Sequence, residues 1–290
     1  MLDSARMVDL HLHSTFSDGS CTPEEVVALA REAGLSAAAL TDHDNWRGAE
    51  RFRAAAEAAG LRTVAGLEIS ADVPGRTVHL LAYGFDPADA ALAAAMEKIR
   101  GGRRARNAEI YARLARLGRP VSPAEVEREA GSPDLVARPH IAAALVRKGY
   151  ARDRADAFRR FLERGAPAYV DRYRLAPAEA VRLVHGAGGA VSLAHPYSTR
   201  FDRSELHAFV RDLAAAGLDG IEAYYTGHLP GQVEELLGLA AEFGLVATGG
   251  SDFHGDAKPN VRVGVAYGGL KVPDASFDAI LARAASSRRG

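Results

Sequence analysis

The chain has 290 residues, 48% of them hydrophobic and 25% charged, enough apolar material for a large buried core. Its formal net charge is -1, so no bulk positive field marks it for nucleic acid or membrane surfaces. A single cysteine, Cys21, excludes an internal disulfide framework and a cysteine-based zinc cluster. Cys21 reads as a small residue near a helix start rather than a nucleophile. The opening residues show no apolar signal region, and no run of 18 apolar residues occurs, so the expected location is cytoplasmic.

A first strand is expected over 7–13, ending His11-Leu12-His13. Extended residues two apart point to the same side, so both imidazoles aim at one point. That pair starts a divalent-metal site, or is incidental to a half-buried strand. Thr22-Pro23-Glu24-Glu25 has capping-box spacing with proline at the first helical position. Val26, Val27, Leu29, Ala30 and Ala33 carry that helix to Gly34. A strand over 36–41 terminates in Thr41-Asp42-His43-Asp44-Asn45, and a helix follows over 48–59. Strands are expected at 63–69, with Glu68 near its end, and at 77–83, with His79 inside it.

Residues 100–172 differ in kind. They are rich in arginine and glutamate, carry little strand pattern and suggest several short helices, so they read as a helical insertion. The rest, 1–99 and 173–290, would form one domain. Ser122-Pro123-Ala124-Glu125 is a second capping box, and Arg138-Pro139-His140 opens another helix. Arg103-Arg104-Ala105-Arg106 reads as a solvated helix face, with steering of anionic substrate as the alternative. Helix and strand then alternate again. Strand 190–194 runs into His195, strand 218–224 carries Glu222, and strand 245–250 leads to Ser251-Asp252-Phe253-His254. An apolar segment over 261–267 and a helix over 274–285 close the chain.

Such alternation implies an α/β fold with a largely parallel sheet. About seven strands are enough to close a barrel, whose chemistry sits at the C-terminal strand ends. His11, His13, His43, Glu68, His195, Asp252 and His254 all fall at such ends, and His79 lies on a strand. Mixed imidazole and carboxylate donors suit zinc, manganese or iron rather than calcium. More than four ligands implies more than one ion, with a carboxylate such as Glu68 bridging. His228 follows strand 218–224 and faces the same mouth, as a substrate contact. Glu222 would orient a ligand or pair with an arginine. Tyr224, Tyr225 and Trp46 would stack a base or simply pack. His185 and His207, within amphipathic helices, read as surface or satisfied residues.

His11-Leu12-His13-Ser14-Thr15-Phe16-Ser17-Asp18-Gly19, Thr41-Asp42-His43-Asp44, Gly66-Leu67-Glu68-Ile69, His79-Leu80-Leu81, Ala194-His195-Pro196 and Gly250-Ser251-Asp252-Phe253-His254 run in order along almost the whole chain. As a set they resemble the motifs of the PHP (polymerase and histidinol phosphatase) superfamily. The resemblance implies a distorted (β/α)7 TIM-like barrel holding two or three divalent ions, manganese foremost, zinc or iron otherwise. Carried over by position, one ion would take His11, His13, Glu68 and Asp252. A second would share Glu68 and take His79 and His195. A third would take His43 and His254, with Asp18 where some members place a histidine.

The insertion, with Ser132-Pro133 and Ala137-Arg138-Pro139-His140-Ile141-Ala142, resembles one subgroup of the superfamily. Its members look like 3′,5′-nucleoside bisphosphate phosphatases, with 5′→3′ exonuclease action on short RNA among relatives. Where that motif usually reads Ser-Arg-Pro-His, this chain has Ala137. The resemblance implies Arg138 and His140 as phosphate-recognising residues, and a nucleotide or short oligonucleotide as partner. Hydrolysis would proceed by a metal-bridging hydroxide, with Asp18 or His254 as candidate proton donor to the leaving oxygen. A histidinol-phosphate-type or other small-molecule phosphatase would use the same metal set. A non-catalytic scaffold, the third reading, need not retain ions.

Overall fold

The computed structural model describes residues 7–73, 76–130, 136–264 and 271–288. The chain divides into two compact units, one made of Met1–Ala94 with Leu175–Gly290, the other of Ala95–Arg174. The strands are β1 (Met7–Leu12), β2 (Ala37–Leu40), β3 (Arg62–Thr63), β4 (Gly66–Val73), β5 (Arg76–Tyr83), β6 (Ala190–Leu193), β7 (Gly220–Tyr225), β8 (Val246–Gly250) and β9 (Val272–Pro273). The helices are α1 (Pro23–Glu32), α2 (Ala49–Ala58), α3 (Ala90–Arg116), α4 (Pro123–Ala130), α5 (Arg138–Arg147), α6 (Arg154–Ala157), α7 (Pro177–Gly186), α8 (Arg203–Ala215), α9 (Pro230–Phe243) and α10 (Asp274–Ser287). Among the described residues no helix is long and apolar enough to cross a membrane.

Local chemistry accounts for the element ends. Thr22 and Glu25 form the expected reciprocal cap on α1, with Pro23 in the first turn. Asp202 and Glu205 do the same for α8. Strands β2 and β6 are buried throughout, which is why they read as short apolar runs without alternation. The strand expected over 63–69 is two strands. Thr63 is still paired with β2, whereas Gly66 begins the pairing of β4 with β5, so the chain changes sheets between them. The expected segment 261–267 and the Ser132-Pro133 pair extend into residues outside those described.

The described strands form two sheets, ordered β3-β2-β1-β9 and β4-β5-β6-β7-β8. Parallel pairing holds for β1 with β2, β2 with β3, β6 with β7 and β7 with β8. The β4–β5 and β5–β6 pairs are antiparallel; β4 returns directly into β5 without a crossover helix, which reverses β5 against both neighbours. The expected closed (β/α)7 barrel is therefore corrected to a mixed α/β fold whose sheet does not close among the described residues.

The two sheets meet at two short seams. At one, Asp252 N–H donates to His11 O (2.9 Å) and His13 N–H to Phe253 O (3.0 Å). At the other, Asp44 N–H donates to Glu68 O (2.8 Å) and Glu68 N–H to Asp42 O (3.2 Å). Each seam contains an aspartate in the left-handed region, Asp252 (φ 55°) and Asp44 (φ 54°). That conformation departs from regular extended backbone, so each seam stays short beside ligand-bearing chain. Apolar cores flank this zone: Val8, Leu10, Leu81 and Phe277 in one cluster, Leu12, Val26, Leu40 and Phe52 in another.

The second unit has its own core of Ile110, Leu114, Val126, Ile141, Leu145 and Leu162. Asp156 anchors its α6 region by accepting from Arg152, Arg159 and Arg160.

Backbone proximity at the first seam sets a test. A methyl on Gly250 would lie 2.4 Å from His11 Cβ and 2.5 Å from His11 N. Gly250→Ala should cost about 1–3 kcal/mol in thermal unfolding and loosen the His11 strand. Gly238→Ala, within α9 where nothing lies in the way, should stabilise by about 0.5–1 kcal/mol.

Candidate metal centre

Strand β1 delivers His11 and His13 with no exposed surface, their rings 5.1 Å apart. The buried carboxylate of Glu68, on β4, lies between five imidazoles. Its Oε2 is 3.4 Å from His11 Nε2, 3.2 Å from His13 Nε2 and 3.0 Å from His43 Nδ1. Its Oε1 is 2.9 Å from His79 Nδ1 and 3.1 Å from His195 Nε2. Asp252 Oδ1 closes the other side, 3.5 Å from His11 Nε2 and 3.3 Å from His13 Nε2. Farther out, Asp18 Oδ1 is 3.2 Å from His254 Nε2, and Asp18 Oδ2 is 3.7 Å from His43 Nε2. The residues nominated from the sequence as metal ligands thus occupy one nest.

A layer of buried partners orients these groups. Glu222 accepts from His11 Nδ1 (3.0 Å) and from the His195 backbone N–H (2.6 Å). With Nδ1 carrying the proton, His11 presents the Nε2 lone pair to the centre. His195 Nδ1 is 2.7 Å from Ser198 Oγ, which leaves its Nε2 inward. Tyr225 O–H donates to Asp252 Oδ2 at 3.0 Å, and the Lys258 ammonium pairs with the same oxygen, so Oδ1 faces the histidines. Asp9 accepts from the backbone N–H groups of His11, Ser251 and Gly264 and so pins the first seam. Asp42 accepts from Ser14 N–H (2.8 Å) and Ser17 Oγ (2.6 Å), folding the loop behind His13.

The donor set asks for cations. His11 Nε2, His13 Nε2, His43 Nδ1, Glu68 Oε2 and Asp18 Oδ1 are buried without a hydrogen-bond partner. Each such atom left unsatisfied costs about 1–3 kcal/mol. Their ligand atoms fall into clusters His11/His13/Glu68, His11/His195/Asp252, His43/Glu68/His79 and His13/Asp18/His43/His254, each within a 4.8 Å span. The clusters share members, which fits two or three ions close together. Protonation tells the same story. Burial pushes His13 down, but the Asp252 and Glu68 carboxylates more than reverse it, to about 9. Burial likewise opposes the charge on Glu68, yet the surrounding imidazoles hold its carboxyl well below the usual range. Positive charge at this point is demanded, and a divalent ion supplies more of it than a proton.

The remaining nominated residues separate. His228 is 8% exposed, its Nδ1 donates to Ala223 O (3.0 Å), and its ring lies 5.0 Å from Tyr225. Its Nε2 has no partner. Arg138 and His140 belong to the second unit. Arg138 donates to Leu162 O (3.4 Å) and lies over the Tyr169 ring, while His140 Nδ1 accepts from Ala137 N–H (3.1 Å) at the start of α5. Trp46 packs edge-on against Phe85, and Tyr225 serves Asp252 by its hydroxyl rather than by its ring face alone. His185 and His207 pair with Asp219 (2.8 Å) and Glu242 (2.9 Å), the satisfied roles expected of them. Neither Lys258 nor Asp9 was nominated from the sequence, although Asp9 precedes His11 by the same step of two that separates His11 from His13.

Comparison with known proteins places this geometry. The PHP domain family profile matches residues 9–117. A 3′,5′-nucleoside bisphosphate phosphatase from Chromobacterium violaceum is 35% identical over 257 residues, covering 89% of this chain and 90% of that protein. The chain belongs to the PHP family. A 5′-3′ exoribonuclease from Haemophilus influenzae is 33% identical over 246 residues, covering 85% of this chain and 89% of its own. Among solved structures, a candidate metal-dependent phosphoesterase from Bifidobacterium adolescentis superposes with TM-score 0.81 at 35% identity, covering 96% of both chains. The PHP relatives are hydrolases of phosphate esters, and a nest of imidazoles and carboxylates fits that metal-dependent chemistry.

Two measurements follow. Glu222→Gln should weaken metal binding by roughly 10–100-fold, read by competition with a chelator, while the circular dichroism spectrum is unchanged. His13 is raised to about 9 without metal, so it is protonated at neutral pH and must release that proton to bind an ion. Calorimetric titration with manganese in buffers of different ionisation enthalpy should therefore show proton release, and affinity should fall as pH is lowered.

Proposed function

We propose that this PHP protein removes the 3′-phosphate from 3′,5′-nucleoside bisphosphates and also acts on short 5′-phosphorylated RNA from its 5′ end. The observation that carries the reading is the position of Glu68. It is a buried carboxylate shared by His11, His13, His43, His79 and His195, with Asp252 opposite. The substrate class is supported by relatives of both activities matched over most of the chain. Manganese is the proposed ion, with zinc or iron as alternatives for the same donors.

His11, His13, Glu68 and Asp252 would hold one ion, Glu68, His79 and His195 a second, and Asp18, His43 and His254 a third. Bound divalent ions would supply an acidified water and neutralise charge on the phosphoryl oxygens. The protein's own contribution is orientation and proton placement. Glu222, Ser198 and Tyr225 keep the inward lone pairs aimed. Asp18 has 32% of its side chain exposed, so it borders the way in. Burial resists its ionisation, but His43, His254 and His13 hold its carboxyl well below the usual range. Asp18 therefore suits holding a partner in place more than giving up a proton. His254 Nε2, 3.2 Å from Asp18 Oδ1, is the other candidate donor to the leaving 3′ oxygen, but burial pushes its imidazole down and so disfavours the protonated form. An ion held by the same pair would neutralise that oxygen instead. His228 Nε2, with no partner and set beside Tyr225, is a proposed substrate contact, as are Arg138 and His140 of the second unit.

Phosphate release should be compared for 3′-phospho-AMP, histidinol phosphate and a 5′-phosphorylated short RNA, each with manganese and after chelation. The bisphosphate should react fastest and chelation should abolish the reaction. Full activity after chelation, or preference for histidinol phosphate, overturns the reading. Arg138→Ala should raise KM for the bisphosphate roughly tenfold, with metal content unchanged.

A further inference from the structure

Lys258 brings a positive charge to the rim of the nest. Its ammonium pairs with Asp252 Oδ2, the oxygen that also accepts from the Tyr225 hydroxyl at 3.0 Å. The other oxygen, Asp252 Oδ1, faces His11 Nε2 (3.5 Å) and His13 Nε2 (3.3 Å). One carboxylate thus joins the ammonium to the candidate ligands of the first ion. The side chain of Asp252 is 6% exposed and that of Lys258 38% exposed, so the lysine reaches the carboxylate from the solvent side.

The loop that carries Lys258 is braced against the loop that carries Asp18. Ser20 N–H donates to His254 O (3.1 Å), and Asp256 N–H donates to Ser20 Oγ (2.9 Å). Lys258 N–H closes a turn on Gly255 O (3.0 Å), and Val261 N–H closes the next on Lys258 O (2.9 Å). Gly255, with φ 64°, lets the two loops pass closely, since a methyl there would collide with Ser20 Oγ. Ordering a lysine costs rotamer freedom, and this bracing fixes its root beside Asp252.

An ion pair with Asp252 alone does not account for this lysine. Asp252 already has a hydroxyl on one oxygen and two imidazoles beside the other, and a partly exposed ion pair contributes little to stability. Glu68 and Asp252 bring two carboxylate charges, which a single divalent ion would cancel. The Lys258 charge would then be in surplus. An ammonium has three N–H donors, and among the described residues Asp252 Oδ2 is its hydrogen-bond partner, which leaves donors for an anion. We propose that Lys258 contacts the substrate, its ammonium donating to a non-bridging oxygen of the phosphoryl group under attack. It favours a terminal phosphomonoester, with a charge of about −1.5 to −2 at neutral pH, over the singly charged internal diester of RNA. This rests on the phosphoester reading of the centre and assigns a residue that selects between its two proposed substrates.

Calorimetric binding to the full chain, saturated with manganese, tests the contact without turnover. The probes are inorganic phosphate, above its second ionisation, and dimethyl phosphate, a singly charged diester. Lys258→Met should weaken inorganic phosphate roughly tenfold or more, and dimethyl phosphate by about threefold at most. Lys258→Arg should recover most of the loss. Should Lys258→Met not fold, Lys258→Gln repeats the comparison. The ratio of kcat/KM for 3′-phospho-AMP over a 5′-phosphorylated short RNA should fall in parallel. Unchanged phosphate affinity at saturating manganese, with metal affinity alone lowered, would make Lys258 a positioning residue for Asp252 and overturns the contact. Equal losses for the two probes overturn the preference for monoesters. A wild type that binds phosphate through Lys258 yet leaves 3′-phospho-AMP intact overturns the bisphosphate reading and leaves this contact standing.

Discussion

A single buried carboxylate dictates much of this molecule. Glu68 has no exposed surface, and imidazoles approach both of its oxygens. Isolating a carboxylate from water is prohibitive unless positive charge accompanies it. The histidines cannot all supply that charge at neutral pH without repelling one another. His79 Nδ1 and His195 Nε2 already lie 3.3 Å apart. Cations shared between them would resolve both difficulties at once. The surrounding buried acids, Asp9, Asp42 and Glu222, serve backbone and side-chain donors and thereby hold the candidate ligands in place.

The same demand explains the sheet. A continuous barrel would commit Asp44 and Asp252 to ladder hydrogen bonds and send their side chains alternately in and out. Left-handed conformations at both residues, within the seams, interrupt the regular extended backbone there. His195, with φ 25°, is a third such residue. Backbone strain of this sort persists only where the surroundings over-determine it. Asp9 and Glu222 supply that determination through bonds to Ser251 N–H and His195 N–H.

Much of the site could be read from the chain because strand ends and the two-residue step are local properties. His11, His13, His43, Glu68, His79, His195, Asp252 and His254 needed only the strand pattern to be placed on a common rim. The sheet was harder. Nothing in the 63–69 run announces that the chain crosses from β2 to β5, since both pairings suit apolar residues. Barrel closure failed for a similar reason: a count of strands carries no information about φ at Asp44 or Asp252. Lys258 and the Tyr225 hydroxyl escaped because long-range partners of Asp252 leave no local trace. The arginine run misled in the opposite direction. Charge suggested solvent for Arg106, yet close passage at Gly102 covers it.

The first seam joins residues near opposite ends of the polypeptide: Asp9 accepts from Ser251 and Gly264, and His11 lies against Asp252. During synthesis the amino-terminal histidines leave the ribosome long before the aspartate that completes their cluster. A chain made only as far as the first strands thus offers a partial ligand set, and the cluster is complete only once β8 and Asp252 have docked against β1.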